Sequence, residues 1–324
     1  MQYRRLGKSG LQVSALSLGS WLTFGKQIGD GIAEDLMKTA YDHGINFFDN
    51  AEIYSRGQSE IVMGNILKKM GWSRDTFIVS SKVYWGGDKP TQKGLSRKHV
   101  YEACHAALKR LQVDYLDLFF CHRPDYHTPV EETVRVMNTL IEQGKILYWG
   151  TSEWESERIM EAHQVARANN LIPPTMEQPQ YNLFTRQKVE LDYLDLYDLG
   201  MGTTIWSPLL SGLLTGKYND KDPGDTRLSM EGLEWLRERV LEENLLEKTR
   251  QLTALSDELG MSMTNLALCW CLKNEHVSTM ILGASKLSQL EQNLACLEHL
   301  DKLNEEVMGK VEEIVQNKPE RQYW

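Results

Sequence analysis

A carboxylate and a phenol follow one short apolar segment early in the chain. Residues 46–48 are Asn-Phe-Phe, Asp49 ends the run, and Tyr54 follows five residues later. An acid at the carboxyl end of a buried strand, with a titratable hydroxyl in the next loop, is typical of the active face of an α/β enzyme. Taken alone, the same pattern also fits an aspartate that merely caps the following turn.

Two further apolar runs end in groups that complement this pair. The run at 77–82 ends in Lys82, and the run at 116–122 ends in His122. Each has a simpler interpretation, a solvated strand end for Lys82 and a loop histidine for His122. If the runs are adjacent parallel strands, however, their final side chains meet at one rim. The candidate catalytic residues are Asp49, Tyr54, Lys82 and His122.

These four residue types together suit proton delivery to a carbonyl group. A tyrosine with a pKa near ~10 is a poor proton donor at neutral pH, but a nearby ammonium lowers that pKa. We therefore predict Tyr54 as a general acid tuned by Lys82 and Asp49, with His122 orienting the carbonyl or sharing the proton. Reduction of the carbonyl also needs a hydride, which no side chain can supply and a nicotinamide can. The sequence shows no activated serine or cysteine and no metal triad.

The elements that must position these residues alternate along the whole chain. Predicted strands lie at 15–18, 46–49, 77–82, 116–122, 146–151, 175–178, 202–206 and 279–282. Predicted helices lie at 31–43, 59–70, 97–111, 129–143, 155–170, 186–199, 245–259, 263–274 and 287–297. Eight strand-and-helix units with no shift in composition predict a (β/α)8 TIM barrel that spans residues 1–324 as a single domain. A doubly wound sheet is the alternative, but no Gly-x-Gly-x-x-Gly turn follows the first strand.

Other segments complete the predicted architecture. Residues 7–10 are the turn of an N-terminal β-hairpin, and an extra helix at 304–316 closes the chain. Thr128-Pro129-Val130-Glu131 has the pattern of a capping box with proline at the first helical position. The longest irregular stretch, 216–232, is predicted to be a functional flap.

Composition restricts the classes of partner. The chain has 324 residues, 41% hydrophobic and 25% charged, which is typical of a globular protein. Its net charge of −9 argues against a nucleic-acid partner, and no apolar run is long enough for membrane insertion. The N-terminus lacks the apolar core of a secretory signal, and the five cysteines have no metal-ligand spacing. These features predict a cytoplasmic protein whose cysteines are reduced packing residues.

Several stretches resemble one known family over nearly the whole chain. They are Tyr3-Arg4-Arg5-Leu6-Gly7-Lys8-Ser9-Gly10-Leu11, Phe47-Phe48-Asp49, Trp85-Gly86-Gly87, Gly94-Leu95-Ser96-Arg97-Lys98-His99, Arg123-Pro124-Asp125, Tyr148-Trp149-Gly150-Thr151-Ser152, Trp206-Ser207-Pro208-Leu209 and Leu282-Gly283-Ala284-Ser285. The sequence resembles the aldo-keto reductases, most closely the branch with the β-subunits of voltage-gated potassium channels and their microbial reductases. The family's Asp, Tyr, Lys and His tetrad matches the four residues above.

The resemblance implies NADP(H) as cofactor, bound across the rim without a Rossmann turn. Ser152 and Gln178 would hold the carboxamide, Trp206 would stack on the nicotinamide, and Arg227 would reach over the flap. The matching cofactor-binding positions are Ser20, Trp21, Gln27, Asp49, Ser152, Gln178, Trp206, Ser207, Pro208, Leu209, Ser211, Gly212, Lys217, Arg227, Gly283, Ser285, Gln289 and Asn293. Lys286, near a helix N-terminus, would contact a 2′-phosphate.

The resemblance also implies the substrate and the activity. A pocket lined by Trp21, Tyr54, Trp85 and His122 would take a small carbonyl substrate, polar or phosphorylated near Arg123. The implied activity is NADPH-dependent reduction of aldehydes or ketones. The alternative is a nucleotide-sensing regulatory β-subunit of an ion channel with slow residual reductase activity. Relatives in this branch imply a homo-oligomer, a tetramer or larger.

Four positions depart from the channel β-subunits. Glu153 stands where they carry arginine, Gln292 where they carry glutamate, and Asp225 where they carry an aromatic residue. His122 stands where they carry asparagine, whereas the more active reductases of the family carry histidine. This last difference favours catalysis over regulation.

Overall fold

Ten short strands organise the protein, which we describe from a computed structural model over residues 1–21, 23–220, 224, 226–229 and 234–321. Their bounds are β1 Tyr3–Arg5, β2 Gln12–Ser14, β3 Leu16–Gly19, β4 Phe47–Asp49, β5 Ile78–Val83, β6 Leu116–Cys121, β7 Ile146–Thr151, β8 Met176–Glu177, β9 Gly202–Ile205 and β10 Val277–Leu282. Strands β3 to β10 form a closed barrel in which every neighbouring pair is parallel. The predicted (β/α)8 barrel is therefore confirmed.

The central strands β5 and β6 are buried at every position because both of their faces are covered. All six residues of β5 and all six of β6 are buried, as expected for parallel strands between a barrel interior and a helical layer. Side chains alternate between the two faces. Along β5, Val79 and Val83 pack in the core beneath the helices, whereas Ser80 and Lys82 turn inward to meet Asp49.

The helices form the outer layer and close the turns between strands. Among the described residues they are α1 Asp30–Asp42, α2 Gln58–Met70, α3 Arg97–Leu111, α4 Val130–Glu142, α5 Ser156–Ala168, α6 Leu194–Asp198, α7 Glu234–Val240, α8 Glu243–Glu258, α9 Met263–Lys273, α10 Leu287–Leu294 and α11 Glu305–Val315. None of these helices combines the length and the apolar content needed to cross a membrane.

The predicted N-terminal hairpin is confirmed, and it covers the amino-terminal end of the barrel. Strands β1 and β2 pair antiparallel, and Leu6 and Val13 pack with Phe47 and Phe120 in a cluster at this end. Gly7 has φ 58°, and a Cβ there would lie only 2.2 Å from Gly200 O. Glycine is therefore required at this contact between the hairpin and the loop before β9.

The C-terminal helix α11, also predicted, is attached to the barrel by a buried arginine. Arg186 Nη1 donates to Glu312 Oε2 on α11 at 2.7 Å, and Arg186 Nη2 donates to Glu190 Oε2 at 2.7 Å. Asn317 Nδ2 donates to Leu183 O at 3.0 Å. These contacts hold helix α11 and Asn317 against the segment between β8 and β9.

Two local predictions were wrong. The capping box before α4 is absent, because Thr128 Oγ1 donates to Asp125 Oδ2 at 2.7 Å instead of accepting from the helix. The single helix predicted at 186–199 is a π-helical turn, Lys188–Asp192, followed by the short α6. Lys188 is held by Glu153, which fixes this turn against the loop after β7.

The predicted flap at 216–232 is described only in part. Residues 221–223, 225 and 230–232, and with them Asp225, lie outside the described residues. The described portion contains a 3-10 turn at Arg227–Ser229. Helix α7, which follows at Glu234–Val240, was not predicted from the sequence.

Candidate active site

Three adjacent strands bring the predicted tetrad together at the carboxyl end of the barrel. Asp49 ends β4, Lys82 lies near the end of β5, and His122 directly follows β6. Lys82 Nζ lies 2.6 Å from Asp49 Oδ2 and 3.2 Å from Tyr54 OH. The rings of Tyr54 and His122 meet edge to face with centroids 5.9 Å apart. The four side chains therefore form one cluster.

The Asp49–Lys82 ion pair is buried and its remaining polar atoms are satisfied. The Lys82 side chain is 0% exposed and that of Asp49 is 4% exposed. Asp49 Oδ1 accepts from Ser80 Oγ at 2.8 Å and from Gln178 Nε2 at 3.2 Å, while Lys82 Nζ also donates to Asn50 O at 2.8 Å. Burial disfavours the ammonium, but Asp49 and Tyr54 outweigh burial and raise the pKa of Lys82. Lys82 is thus a fixed cation at neutral pH.

Tyr54 is presented by a short turn with unusual backbone angles. Ser55 and Arg56 have φ 49° and 53°, a left-handed conformation that non-glycine residues adopt only under strain. Because Lys82 donates to the Tyr54 oxygen, the hydroxyl proton is free to point elsewhere. Lys82 lowers the pKa of Tyr54, as predicted, but a second effect that the sequence did not reveal outweighs it in the resting protein. Burial of the hydroxyl raises the pKa of Tyr54, and the Lys82 ammonium offsets this only in part.

His122 is held in its neutral form beside Tyr54. Burial lowers the pKa of His122 well below its usual value, and the nearby cations Lys82 and Arg123 lower it further. Within the described residues, the buried Nδ1 of His122 has no hydrogen-bond partner. The Trp85 ring lies 5.2 Å from the imidazole, and Arg123 lies over the Trp85 ring at 5.5 Å. A neutral imidazole suits orientation of a polar group better than proton sharing.

Gln178 and Ser152 have geometry compatible with an amide ligand. Ser152 Oγ donates to Gln178 O at 2.9 Å, and Gln178 Nε2 donates to Asp49 Oδ1 and to Thr204 Oγ1, each at 3.2 Å. Since the nitrogen of the Gln178 amide is engaged, its Oε1 is left to accept a hydrogen bond. None of the described residues donates a hydrogen bond to this Oε1. A carboxamide group could bind at this oxygen.

The loop after β9 contains several residues with left-handed backbone conformations. Ser207, Leu210, Ser211 and Gly212 have φ 54°, 43°, 54° and 97°. The N–H groups of Leu210 and Gly212 donate within the loop, to Ser207 O at 3.1 Å and to Leu209 O at 2.8 Å. A Cβ at Gly212 would lie 2.7 Å from Lys217 Nζ, so only glycine lets the ammonium approach this backbone. The other predicted positions here are Trp206, Pro208 and Leu209. The resemblance places the pyrophosphate at this loop, and Lys217 Nζ is the cation that the structure brings to it.

The remaining predicted cofactor residues lie around the same rim. Ser20 Oγ donates to Asp49 O at 3.0 Å, which places the loop after β3 beside the tetrad. Gln27, in that loop, is exposed. After β10, Ser285 N donates to Gln289 Oε1 at 2.8 Å, and Asn293 is 3% exposed. Gly283 and Lys286 are exposed, whereas the side chain of Arg227 lies outside what the structure describes.

Two predicted pocket tryptophans make ring contacts with other predicted site residues. Trp21 meets Trp206 edge to face, with ring centroids 6.3 Å apart. Trp85 packs against His122. Of the four predicted pocket residues, Tyr54 and Trp85 therefore both contact His122, whereas Trp21 contacts the predicted cofactor residue Trp206.

Sequence reasoning missed three residues that hold the tetrad in place. Ser80 and Thr204 contact Asp49 and Gln178 through their hydroxyls, and the main-chain oxygen of Asn50 accepts from Lys82. Two of them had a detectable signal. Ser80 precedes Lys82 by two positions and Thr204 precedes Trp206 by two, so strand alternation puts each on the same face as its predicted neighbour.

The structure gives no sign of metal or disulfide chemistry in its described part. No group of three or more His, Cys, Asp or Glu side chains in these residues is arranged to hold a metal ion. All five cysteines are free and buried, as predicted. Burial raises the pKa of Cys104 to about 12, so this thiol is unreactive at neutral pH.

Comparison with known proteins identifies the family. A sequence profile described as "Aldo/keto reductase family" matches residues 15–316. The chain is 47% identical over 323 residues to a "Probable voltage-gated potassium channel subunit beta" of Arabidopsis thaliana, covering 99% of this chain and 98% of that protein. It is 48% identical to a protein of the same name from Oryza sativa subsp. japonica, with the same coverage. The chain belongs to the aldo/keto reductase family.

Proposed function

We propose that this protein reduces aldehydes or ketones to alcohols with NADPH, and that Tyr54 donates the proton. The observation that carries the proposal is the contact of Tyr54 OH with Lys82 Nζ at 3.2 Å, inside a cluster that also holds Asp49 and His122. Family membership supports an oxidoreductase of this kind.

The proposed chemistry divides into a hydride and a proton. A nicotinamide, when bound, supplies the hydride to the carbonyl carbon. Tyr54 gives its proton to the carbonyl oxygen, and Lys82 stabilises the phenolate that remains. Because Lys82 is anchored by Asp49 at 2.6 Å, its positive charge is already in place before the proton leaves. Neutral His122 orients the carbonyl oxygen toward Tyr54.

We assign the cofactor to the rim residues predicted from the family. Ser152 and Gln178 hold the carboxamide, Trp206 lies against the nicotinamide, and the loop 207–212 with Lys217 holds the pyrophosphate. Gly283, Ser285, Gln289 and Asn293 hold the adenosine end, and Ser20, Trp21, Gln27, Asp49 and Arg227 complete the site. The unpaired Gln178 oxygen and the Gly212–Lys217 approach support this assignment.

The substrate is proposed to enter between Trp21 and Trp85, above Tyr54 and His122. Arg123 donates to His122 O at 2.5 Å and to Ser152 Oγ at 3.4 Å. Arg123 also lies near the Glu153 carboxylate, because Arg123 is one of the cations that lower the pKa of Glu153. A half-buried cation beside the pocket favours a polar or phosphorylated carbonyl compound.

The test compares wild type with Tyr54→Phe on a panel of aldehydes and ketones with NADPH and NADH. The variant should still bind NADPH but lose at least ~10²-fold in turnover, since it lacks the general acid. Tyr126→Phe is the matched control, because it removes the same atom from a tyrosine that is 66% exposed. Reduction by Tyr54→Phe at near the wild-type rate would reject the proposed role.

A second function is favoured by the names of the two relatives, each a probable channel β-subunit. This protein would then be a nucleotide-sensing regulatory subunit with slow residual reductase activity. Tight NADPH binding with turnover far below ~1 s⁻¹, the low end for ordinary enzymes, would favour this function. His122 favours catalysis, because the family's more active reductases carry histidine there.

The similarity to the aldo/keto reductase family and to the two relatives supports three further proposals. The chain acts as one domain over residues 1–324, it works in the cytoplasm, and it forms a homo-oligomer that is a tetramer or larger. Free, buried cysteines are consistent with a reducing compartment. Light scattering during size-exclusion chromatography measures the oligomeric state directly.

A further inference from the structure

Glu153 occupies a strained position immediately after Ser152, at the carboxyl end of β7. Its φ is 61°, a left-handed backbone conformation that persists in a non-glycine residue only when its surroundings hold it. Its side chain is 20% exposed. Burial disfavours the carboxylate, but Lys188 outweighs burial and holds the pKa of Glu153 below its usual value. Glu153 is therefore ionised at neutral pH.

The two carboxylate oxygens of Glu153 are fully engaged. Oε1 accepts from Trp206 Nε1 at 2.9 Å and from the main-chain N–H of Gln180 at 2.6 Å. Oε2 accepts from Lys188 Nζ at 2.8 Å, and the same ammonium donates to Glu153 O at 2.9 Å. The carboxylate is thus fixed by its two other partners, and it in turn fixes the indole N–H of Trp206.

The backbone of Trp206 is fixed by hydrogen bonds, so the orientation of its indole ring is the part that Glu153 can determine. Its main chain is held on both sides, since Trp206 N donates to Pro179 O at 3.0 Å and Tyr181 N donates to Trp206 O at 3.3 Å. The indole has a single polar atom, Nε1, which is a donor only. The contact to Glu153 therefore selects the ring's rotation, with Trp21 meeting the same ring edge to face.

We propose that Glu153 is a positioning residue that holds the indole of Trp206 in the orientation that receives the nicotinamide ring. Affinity for the nicotinamide cofactor then depends on the Glu153–Trp206 hydrogen bond. The inference rests on the proposed function, since the contact between Trp206 and nicotinamide is part of it.

The experiment is a double-mutant cycle on NADPH affinity, measured by fluorescence titration of Glu153→Ala, Trp206→Phe and the double variant. Glu153→Ala should weaken binding roughly 10-fold, the scale of a lost hydrogen bond to a charged group. Trp206→Phe has no N–H, so adding Glu153→Ala to it should change affinity less than ~2-fold. Glu153→Gln, whose amide oxygen still accepts, should stay within ~3-fold of wild type.

The matched control is Glu155→Ala. It removes the same charge two residues away, where the carboxylate contacts Tyr126 OH instead of Trp206, and it should leave affinity unchanged. If Glu153→Ala does not fold, Glu153→Met replaces it in the cycle, because methionine fills similar volume without an acceptor. The proposal is overturned if the loss of NADPH affinity in the double variant equals the product of the losses in the two single variants. It is also overturned if Glu153→Ala binds NADPH as tightly as wild type does.

A readout in the free protein separates this inference from the proposed function. The Trp206 indole N–H signal, identified as the one absent from Trp206→Phe, should shift and exchange faster with solvent in Glu153→Ala but not in Glu155→Ala. Wild type that binds no NADPH contradicts the proposed function, whatever this signal does. An indole signal that is unchanged in Glu153→Ala overturns the positioning role independently of cofactor binding.

Discussion

Lys82 contacts two candidate catalytic residues at once, the Asp49 carboxylate and the Tyr54 hydroxyl. With both members of the ion pair almost completely buried, the charges are stabilised by each other and by a few hydrogen bonds instead of by water. Removing one partner from such a pair leaves an uncompensated charge in the interior. The site is therefore also a stability determinant of the protein.

Lys82→Met should lower the free energy of unfolding by about 3–5 kcal/mol, the cost of an unpaired buried charge, and abolish reduction. The double variant Asp49→Asn/Lys82→Met should regain much of the stability but none of the activity. Urea unfolding and carbonyl reduction measure the two effects. Lys98→Met is the control, because its pair with Glu102 is 57% exposed on both sides and should contribute at most about 1 kcal/mol. A single variant as stable as the control would contradict the argument.

The tetrad was predictable because each member ends an apolar run that the sequence displays. The direction in which the pKa of Tyr54 shifts was not predictable from the sequence. It depends on the balance between burial of the hydroxyl, which raises the pKa, and the Lys82 ammonium, which lowers it. Contacts across the barrel, such as Gln178 with Asp49, join residues far apart in the chain. No local pattern encodes them, and only the resemblance suggested Gln178.

At the level of elements, helices α2 and α3 approach so closely that a glycine is needed between them. A Cβ at Gly64 would lie 2.4 Å from Arg110 O and 2.7 Å from the carbonyl carbon of Leu111. Nearby, Glu60 on α2 accepts from Ser81 Oγ on β5 and from Arg110 Nε, each at 2.6 Å. The close approach of the two helices thus coincides with a buried polar contact to the barrel.

Gly64→Ala should destabilise the protein by about 1–3 kcal/mol, because backbone atoms of α3 must shift to admit the methyl group. Gly309→Ala is the matched control on α11, where no described atom lies within 4 Å of the added carbon. It should instead stabilise by about 0.5–1 kcal/mol, as alanine does in a helix. Thermal unfolding of the two variants distinguishes these outcomes. A Gly64→Ala variant as stable as wild type would show that α3 moves freely.

Strands and long helices were predicted well because burial on both faces favours short segments rich in apolar residues, as in Leu118, Phe119 and Phe120 of β6. Local capping was predicted poorly. The hydroxyl of Thr128 has a carboxylate partner in Asp125 that sequence spacing did not reveal. The π-helical turn at Lys188–Asp192 was missed because Glu153, 35 positions away, holds Lys188 there.

At the level of the whole molecule, one buried carboxyl group makes stability depend on pH. Burial raises the pKa of Glu177 to about 8, opposed only in part by the hydrogen bond donated from Thr151. The folded protein therefore keeps a proton that the unfolded chain releases. The resulting contribution to stability is present at low pH and is lost as pH rises toward about 8.

Glu177→Gln should remove this dependence, because the amide keeps an acceptor for Thr151 and cannot ionise. Relative to wild type, the variant should gain about 3 kcal/mol in unfolding free energy between pH ~5.5 and pH ~8. Denaturant titrations at several pH values measure the difference. Glu157→Gln, at an exposed carboxylate on α5, should instead follow the wild-type curve. Parallel curves for Glu177→Gln and wild type would mean that Glu177 ionises normally.

The hairpin that covers one end of the barrel has a practical consequence for attaching the protein to surfaces. Met1 lies on that covered side, against the turn at Gly44, and it is 37% exposed. The loops that hold the tetrad emerge from the other end. A linker joined to the first residue would therefore anchor the molecule by its closed base, so that on an electrode or a resin the open mouth faces the bulk solution.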